Sequence, residues 1–367
     1  MSPGVRIPFV DLHLGPEEEA VRAAVDRVVR SGWYVLGPEV EAFEREFAAA
    51  GGAPHAVGVA NGTDAIALLL RAAGVGPGDE VIVPALTAPF TALAVAAMGA
   101  RPVFADVDPD RLTLDPASCE AAITTRTRAI VPVHLYGQPA DVPALEALAA
   151  RRGVALVEDC CQAHLATCAG TPVGTLGVGG AFSFYPTKNL GALGDGGAVI
   201  TRDAGVAETV RRLRNGGRAD RERHVLVGVN SRLDEMQAAV LRARLPRLGA
   251  WTARRRELAA AYRKGLDPVV RVVPECDAGH VQHLFVVRSG TRESLMAHLA
   301  AAGVETLVHY PIPLPAQPAF AAWVAAACPA AVQAAAEVLS LPLHPRLLEA
   351  DVARVAALVN EAHAGTP

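Results

Sequence analysis

Seven short apolar runs alternate with helical stretches over the first two-thirds of the chain, and this alternation restricts the fold more than any other feature. The runs are HAVGVA (55–60), DEVIVPA (79–85), RPVFADV (101–107), RAIVPVHL (128–135), VALVED (154–159), AFSFY (181–185) and GAVITR (197–202). Helical patterns over 63–73, 90–98 and 142–152 separate the early runs. Strands that are apolar on both faces and joined by helices form largely parallel sheets covered on both sides. The sequence therefore predicts an α/β fold.

The pattern changes in the last third of the chain. A basic segment (211–223) leads into helical stretches over 231–248 and 250–265, followed by the apolar run QHLFVVRS, a helix over 292–302 and the proline-rich segment HYPIPLPAQP. Two further helices are predicted at the end. We predict a large domain over residues 1–249 and a smaller C-terminal domain over 250–367.

Charge, cysteine content and hydropathy exclude several classes of protein. The 367 residues carry a net charge of -4, which gives no general attraction for nucleic acid or anionic lipid. The first residues lack the pattern of a secretory signal, and the apolar stretch over 319–343 is interrupted by Pro329, Gln333 and Glu337. Six cysteines are too few for a disulfide framework. We expect a cytoplasmic protein without a nucleic-acid or membrane partner.

Lysine is nearly absent from the sequence. Lysine and arginine together number 34, and only Lys188 and Lys264 are lysines. Arginine cannot replace lysine where a deprotonated amine is needed, because a guanidinium stays protonated at any working pH. Lys264 ends a helical pattern stopped by Gly265, which is typical of a solvated C-terminal cation. Lys188 lies in the apolar, glycine-rich string GAFSFYPTKNLGALGDGG, which suits a chemical role better than a surface role.

Three strand ends carry polar residues that suit one cofactor. The turn Asn61-Gly62 leads into a helix at Thr63, which is either a plain N-terminal cap or a phosphate site. Asp159 ends a buried strand as a structural cap or as a ligand of a cationic group. Ser183 and Lys188 follow the next predicted strand, so both can meet Asp159 at the carboxyl edge of the sheet. A phosphate site, a carboxylate and a lone lysine are what pyridoxal phosphate requires, and we predict no metal.

Ordered motifs along the chain resemble one family. The strings SGWYVLGPEVEAFEREFA, ANGTDAI, VHLYGQPADV, VEDCCQAH, SFYPTKNLGALGDGGA, GVNSRLDEMQAAVL and HYPIPLP closely resemble the DegT/DnrJ/EryC1/StrS sugar aminotransferases between residues 5 and 345. The resemblance implies a pyridoxal-phosphate-dependent transferase of fold type I, with a large seven-stranded sheet domain, a smaller C-terminal α+β domain and a homodimer with shared active sites.

The resemblance also implies residue roles. Lys188 is expected to bond covalently to the cofactor aldehyde, and Asp159 to pair with its ring nitrogen. Gln162 is expected to bind the phenolic oxygen of the cofactor. Gly62, Thr63 and Ser183 are expected to bind the cofactor phosphate, and Asn230 is expected to reach the same phosphate from the partner subunit. His309 and Tyr310 are expected to lie near the sugar.

Three departures from the family pattern mark where the roles are open. Cys160 and Cys161 stand where alanines are usual, and we expect tolerated packing. Ala88 occupies the position of an aromatic residue that covers the cofactor ring, so that Phe90 either replaces it or belongs to the core. RNGG stands where RNHG is common, with Gly217 in the neighbourhood of the usual histidine.

The implied reaction transfers an amino group from L-glutamate to a keto group of a nucleotide-linked deoxysugar. The strings GVNSRLDE and ETLVHYPIP resemble members that act on 3-keto sugars more than those that act on 4-keto sugars, which tend to carry an aromatic residue in place of Ser231. A cyclitol ketone is a further alternative acceptor. The basic segment 211–223 either meets the substrate diphosphate or is a solvated loop. A sugar dehydratase of the same fold, which carries histidine at the lysine position, and a non-catalytic relative are disfavoured by Lys188, Asp159 and Gln162. A nicotinamide oxidoreductase is disfavoured because GALGDGG does not join a first strand to a helix.

Overall fold

The computed structural model describes residues 7–323 and 326–364, so the outermost residues of the two predicted domains and residues 324–325 lie outside it. The helices are α1 (Glu18–Ser31), α2 (Pro38–Ala50), α3 (Gly62–Ala72), α4 (Phe90–Ala97), α5 (Pro116–Ala122), α6 (Val142–Arg152), α7 (Ala204–Leu213), α8 (Glu235–Arg244), α9 (Leu248–Gly265), α10 (Arg292–Ala301), α11 (Pro329–Glu337) and α12 (Glu349–Ala364). The strands are β1 (His55–Val59), β2 (Glu80–Pro84), β3 (Arg101–Ala105), β4 (Thr127–Ile130), β5 (Ala155–Asp159), β6 (Thr167–Cys168), β7 (Thr171–Pro172), β8 (Gly179–Ser183), β9 (Gly197–Thr201), β10 (Arg271–Val272), β11 (Phe285–Arg288) and β12 (Val338–Leu341).

Seven of these strands form one mostly parallel sheet in the order β1-β9-β8-β5-β4-β2-β3. Only β9 runs against its neighbours, β1 and β8. Each of the seven predicted apolar runs contributes one strand, and the predicted α/β class with a seven-stranded sheet is confirmed.

Both faces of this sheet are buried, for the reason the sequence indicates. Along β2, Val81 and Val83 pack into one apolar cluster and the intervening Ile82 packs into the other. Alternate residues of a strand point to opposite faces, so a continuous apolar strand requires cover on both sides. Helices α3 and α4 cover the first face and α2 covers the second.

A three-stranded antiparallel sheet, β10-β11-β12, lies in the C-terminal third. It packs with α9, α10 and α12 around a separate apolar cluster that includes Tyr262, Phe285 and Val355. Helix α9 begins at Leu248, close to the predicted domain boundary at 249/250. The boundary itself stays a prediction.

Several predicted element boundaries were wrong, and proline explains two of them. The helix expected over 231–248 starts only at Glu235 and gives way to a 3₁₀ turn over Leu245–Arg247, where Pro246 lacks the N–H that an α-helix requires. The strand expected over 128–135 ends at Ile130, two residues before Pro132. The segment expected to be a basic loop from residue 211 begins as the last turn of α7, and the Arg214 side chain is buried against Glu44.

Two exclusions of the sequence can be compared with the structure. No helix among the described residues is both long enough and apolar enough to cross a membrane. All six cysteines lie within the described residues, and none of them forms a disulfide.

A buried carboxylate from α8 fixes the start of α2. Glu235 Oε1 accepts hydrogen bonds from the backbone N–H groups of Gly37 and Val40, both at 2.8 Å, and its Oε2 accepts one from Glu39 at 2.9 Å. These amides belong to the helix N-terminus, where no intrahelical acceptor exists. Glu235 therefore caps a helix almost 200 positions away in sequence.

We expect Glu235→Ala to lower the free energy of unfolding by about 3 kcal/mol or more, because it leaves three buried N–H groups without an acceptor. The thermal unfolding midpoint should fall by roughly 5 °C or more. Glu46→Ala is the matched control, since Glu46 also pairs with α8 through Arg242 but is exposed. The control should shift the midpoint by at most about 1–2 °C. Equal shifts in calorimetric melts of the two variants would contradict this role of Glu235.

Candidate active site

The carboxyl end of β5 places a buried acid at the centre of the sheet. The Asp159 carboxylate accepts a hydrogen bond from the Thr91 hydroxyl at 2.7 Å and one from the Cys161 backbone N–H at 3.1 Å. Strand β5 lies between β4 and β8, so the ends of three parallel strands meet beside this side chain. Asp159 is thus held rigidly in a position where it can face a cationic ligand.

The N-terminus of α3 forms an anion cradle beside this acid. The Asn61 side chain accepts the Asp64 N–H at 2.9 Å, and the Ala65 N–H donates to the Asn61 carbonyl, which leaves the amides of Gly62 and Thr63 for a ligand. A side chain at Gly62 would lie 2.8 Å from both Cys161 Sγ and Ser183 Cβ, which is too close. Glycine is required here because helix, strand end and thiol converge.

Lys188 enters the same region from the loop after β8. The loop is turned by a hydrogen bond from the Lys188 N–H to the Tyr185 carbonyl at 2.8 Å. Burial lowers the pKa of the Lys188 amine, and the charge of Asp159 opposes that decrease without cancelling it. A lowered pKa increases the fraction of neutral amine, the form that attacks a carbonyl carbon. Lys188 and Asp159 therefore lie close enough for the charge of the carboxylate to act on the amine.

Three further predicted site residues lie in the same region, namely Gln162, His309 and Tyr310. Gln162 Oε1 accepts the Tyr136 backbone N–H at 2.7 Å, and Gln162 Nε2 donates to the Tyr310 hydroxyl at 3.2 Å. Burial raises the pKa of Tyr310 to about 12, so its hydroxyl stays protonated. Burial and the charge of Lys188 lower the pKa of His309 to about 4, so its imidazole is neutral at pH 7. The His309 ring stacks on Phe9 and its Nδ1 lies 2.9 Å from the Ser340 hydroxyl.

These residues fit pyridoxal phosphate. The free amides at Gly62 and Thr63, with the Ser183 hydroxyl beside Gly62, suit a phosphate monoester. The Asp159 carboxylate suits a protonated ring nitrogen, and the Lys188 amine suits an aldehyde. Because an amide nitrogen carries two N–H groups, Gln162 Nε2 has one left to donate to a ring oxygen.

Asn230 lines a cavity that does not include Asp159, Gln162 or Lys188. It is exposed, and it shares this cavity of about 360 Å³ with Ala60, Asp195 and Arg232. Its backbone forms an isolated bridge with Asn215. The predicted contact of Asn230 with the phosphate involves a partner subunit, so its role stays a prediction.

The two unusual cysteines differ in their surroundings. Cys160 is fully buried against Gly180, whereas Cys161 lies between the Gly62 turn and Lys188. Burial and nearby carboxylates raise the pKa of both thiols, so both are neutral. The expected packing role accounts for Cys160, while Cys161 also borders the cofactor cradle.

Cys160, His134 and Glu158 lie close enough together to hold a metal ion. Hydrogen bonds, however, already use the His134 and Glu158 groups. His134 Nδ1 accepts the Ala140 N–H at 3.0 Å, so its Nε2 carries the proton and donates to Glu158 Oε2 at 3.0 Å. Glu158 Oε1 accepts the Leu176 N–H at 3.0 Å. The trio is better described as a structural support beneath β5.

The structure bears on two of the departures from the family pattern, at Phe90 and Gly217. Phe90 is 58% exposed at the start of α4, so the interpretation as a core residue is wrong, while its role as a ring cover stays a prediction. Gly217 has a φ of +77°, and a side chain there would meet the Leu226 carbonyl oxygen, so glycine is required. His224 Nδ1 donates a hydrogen bond to the Gly216 carbonyl at 2.7 Å, so this segment does contain a histidine.

Ser231 does not face an open site. It is fully buried, and its hydroxyl accepts the Ala60 N–H at 3.1 Å. Any influence of Ser231 on the substrate must therefore act through packing next to the α3 turn.

Sequence reasoning missed three positioning residues because their partners are distant in the chain. Thr91 holds the Asp159 carboxylate from α4. Asn189 anchors the Lys188 loop by donating to the Val281 carbonyl at 3.1 Å and by its Oδ1 contact with His283 Nδ1 at 3.0 Å. Burial and the charge of Lys188 hold the pKa of His283 well below its usual value, so His283 is a neutral donor. Only the position of Asn189, directly after the lysine, was a signal in the sequence.

Comparison with known proteins gives consistent relatives over almost the whole chain. The model of the DegT/DnrJ/EryC1/StrS aminotransferase family matches residues 16–360. A dTDP-3-amino-3,4,6-trideoxy-alpha-D-glucose transaminase of Streptomyces venezuelae is 50% identical over 363 residues, which cover 97% of this chain and 96% of the relative. A UDP-N-acetyl-3-dehydro-alpha-D-glucosamine 3-aminotransferase of Acidithiobacillus ferrooxidans is 45% identical and covers 98% of both chains.

Among solved structures, the crystal structure of S. venezuelae DesV in complex with a ketimine intermediate matches with a TM-score of 0.95. The two sequences are 49% identical, and the match covers 99% of this chain and 100% of that one. Together with the family match, this shows that the chain is an aminotransferase and belongs to the DegT/DnrJ/EryC1/StrS aminotransferase family.

Proposed function

We propose that this enzyme uses pyridoxal 5'-phosphate to transfer an amino group from L-glutamate to the keto group of a nucleotide-linked deoxysugar, with a preference for 3-keto sugars. The observation that carries the proposal is the shared, desolvated position of Lys188 and Asp159 beside the free amides at the start of α3. The reaction would proceed in two halves, the first loading the cofactor with nitrogen and the second delivering it to the sugar, with ping-pong kinetics.

The bound cofactor would supply an electron sink for the negative charge that develops at the carbon losing a proton. Asp159 would keep the ring nitrogen protonated, and Thr91 and the Cys161 amide fix the direction of its carboxylate. Lys188 would hold the cofactor aldehyde, and its free amine would serve as the general base that moves the proton. Gly62, Thr63 and Ser183 would hold the phosphate, and Gln162 would bind the ring oxygen.

His309 and Tyr310 are proposed to contact the sugar. Both are half-buried. Tyr310 accepts a hydrogen bond from Gln162, and burial together with the charge of Lys188 lowers the pKa of His309. A neutral imidazole and a protonated phenol are suited to sugar hydroxyls, because each donates and accepts hydrogen bonds.

A homodimer with shared active sites is proposed from exposed apolar side chains near the Asn230 segment. Val225, Leu226, Val227 and Val229 are all exposed, Val227 by 85%, although water-exposed apolar patches are rarely large in monomers. Trp33 and Tyr34, which precede α2, are also more than half exposed. A second copy covering these residues would bring Asn230 to its neighbour's phosphate. We further propose that the enzyme acts in the cytoplasm.

The two lysines of the chain provide a matched test of the cofactor role. We expect Lys188→Arg to abolish the visible absorbance of the purified enzyme and to lower turnover by roughly three orders of magnitude or more, because arginine cannot bond to the aldehyde. Lys264→Arg, an exposed substitution at the end of α9, should keep both properties. Spectra and turnover of the two variants decide the question, and a coloured, active Lys188→Arg enzyme would overturn the proposal.

Asp159 and Thr91 should affect the rate in a graded way. Asp159→Asn removes the charge facing the ring nitrogen, and we expect kcat to fall by about a hundredfold or more. Thr91→Val removes only the hydrogen bond that orients the carboxylate, so a loss of roughly tenfold is expected. Thr113→Val is the control, because Thr113 is buried with an unpartnered hydroxyl away from the site. Equal kcat values for Thr91→Val and the control would exclude the positioning role of Thr91.

The acceptor is tested by single-turnover reactions of the aminated enzyme with a panel of ketones. Both named relatives act at the 3 position of a nucleotide sugar, which supports a kcat/KM about tenfold or more higher for dTDP- or UDP-linked 3-keto sugars than for 4-keto sugars. A free cyclitol ketone is the control acceptor, since it lacks the nucleotide. Preference for the 4-keto sugar or the cyclitol would replace the present assignment, and glutamate and glutamine should be compared as donors.

A further inference from the structure

Tyr136 adopts a backbone conformation that a bulky residue rarely takes. It lies in the short 3₁₀ turn over Leu135–Gly137, beyond the end of β4, and its φ is +61°. An aromatic residue in this left-handed region is strained, and such residues persist where the surrounding structure holds them in place. The proposed function assigns no role to any residue of the string VHLYGQPADV, which contains Tyr136.

The backbone of Tyr136 sets the direction of the Gln162 side chain. The Tyr136 N–H donates to Gln162 Oε1 at 2.7 Å, and a backbone N–H can only donate. The amide oxygen of Gln162 must therefore face Tyr136, which leaves Nε2 to donate to the Tyr310 hydroxyl at 3.2 Å. Because a hydroxyl carries one proton, Tyr310 accepts this bond and keeps its own proton for another acceptor.

The side chain of Tyr136 binds the residue that precedes Tyr310. It is 2% exposed, and its hydroxyl donates to the His309 carbonyl. Burial raises the pKa of Tyr136, so this donor keeps its proton. The hydrogen bonds thus form a closed circuit that starts at the Tyr136 N–H, passes through Gln162, Tyr310 and His309, and returns to the Tyr136 hydroxyl.

The backbone of Tyr136 is held independently of its hydroxyl. Its carbonyl accepts the N–H groups of His283 at 2.9 Å and of Leu284 at 3.3 Å. The next residue, Gly137, has a φ of +89°, and a side chain there would lie 2.9 Å from the His283 nitrogen. Loss of the Tyr136 hydroxyl should therefore leave the turn and the Gln162 contact in place.

The groups that would serve the cofactor have other partners. The Asp159 carboxylate accepts its hydrogen bonds from Thr91 and Cys161, and the Lys188 N–H donates to Tyr185. The hydroxyl of Tyr136 therefore acts on the segment that carries His309 and Tyr310.

We propose that Tyr136 is a positioning residue for the acceptor half of the reaction, holding His309 and Tyr310 so that the Tyr310 hydroxyl donates to an oxygen of the keto sugar. This inference rests on the proposed function, in which these two residues contact the sugar.

Tyr136→Phe removes only the hydroxyl, and single-turnover rates of the two half-reactions measure its role. The rate with L-glutamate should stay within about twofold of the native rate. For the keto sugar that the native enzyme prefers, kcat/KM should fall by about tenfold or more, chiefly through a higher KM. Equal losses in both half-reactions would show a general structural effect and overturn the inference.

Tyr262→Phe is the matched control. Tyr262 is also fully buried, and its hydroxyl donates to the Pro342 carbonyl at 3.0 Å in the apolar cluster of the C-terminal third. Both variants lose one buried hydroxyl, but only Tyr136→Phe should change the acceptor half. Calorimetric melts check that both are folded, and equal acceptor kinetics of the two variants would refute the role of Tyr136.

Hydrogen exchange measured by mass spectrometry tests the same contact without turnover. In the Tyr136→Phe holoenzyme, the peptide over 304–316 should exchange several-fold faster than in the native holoenzyme, because the His309 carbonyl has lost its donor. Tyr262→Phe should exchange at the native rate there. Unchanged exchange in Tyr136→Phe overturns the inference for any substrate. Faster exchange in an enzyme that aminates no keto sugar would instead contradict the proposed function.

A double-mutant cycle with Tyr310→Phe shows whether Tyr136 acts through Tyr310. If it does, the loss in kcat/KM for the keto sugar in the double variant is smaller than the product of the two single losses. Losses that multiply would mean that the two hydroxyls act independently, which contradicts the inference.

Discussion

The candidate active site depends on placing a lysine amine in a poorly solvated position where the charge of a carboxylate acts on it. Burial lowers the pKa of Lys188, while the charge of Asp159 limits how far it falls. A charge in such a position is costly unless partners are held in place, and here they are held by the carboxyl ends of neighbouring strands. Because β5 and β8 pair in parallel, Asp159 is opposite Ala181, two residues before Ser183, and the loop bearing Lys188 starts at the same edge. The sheet thus sets the distance between the groups.

The order of elements and the chemical groups of the site were readable in the sequence because both depend on local patterns. Continuous apolar runs identified the seven strands, and the polar residues at their ends identified Asp159, Ser183 and Lys188 as members of one edge. The element ends were less readable where tertiary contacts decided them. The start of α2 is fixed by Glu235. Helix α8 begins only after Asp234, whose backbone is extended, although the helical pattern of the sequence starts at residue 231.

The positioning residues could not be predicted, since each acts across a long stretch of chain. Thr91 precedes its partner Asp159 by 68 positions, and His283 follows Asn189 by 94. Neither residue belongs to a pattern that distinguishes it from an ordinary core or cap residue. Similarly, the exposure of Phe90 follows from where α4 begins relative to Asp159, because Thr91 must face the acid and the preceding side chain then points elsewhere. One hydrogen bond thereby decides the surroundings of two adjacent residues.

Groups that handle the cofactor come from strand ends of the large sheet, whose spacing cannot change without disrupting the core on both faces. His309 and Tyr310 instead come from the proline-rich segment after β11, tied down by Ser340 on β12 and by the Tyr136 hydroxyl, which donates to the His309 carbonyl. If His309 and Tyr310 contact the sugar as proposed, changes in that segment would alter what faces the keto group while Lys188 and Asp159 stay in place. The proposal thus assigns the chemistry to the sheet edge and the selectivity to the later segment.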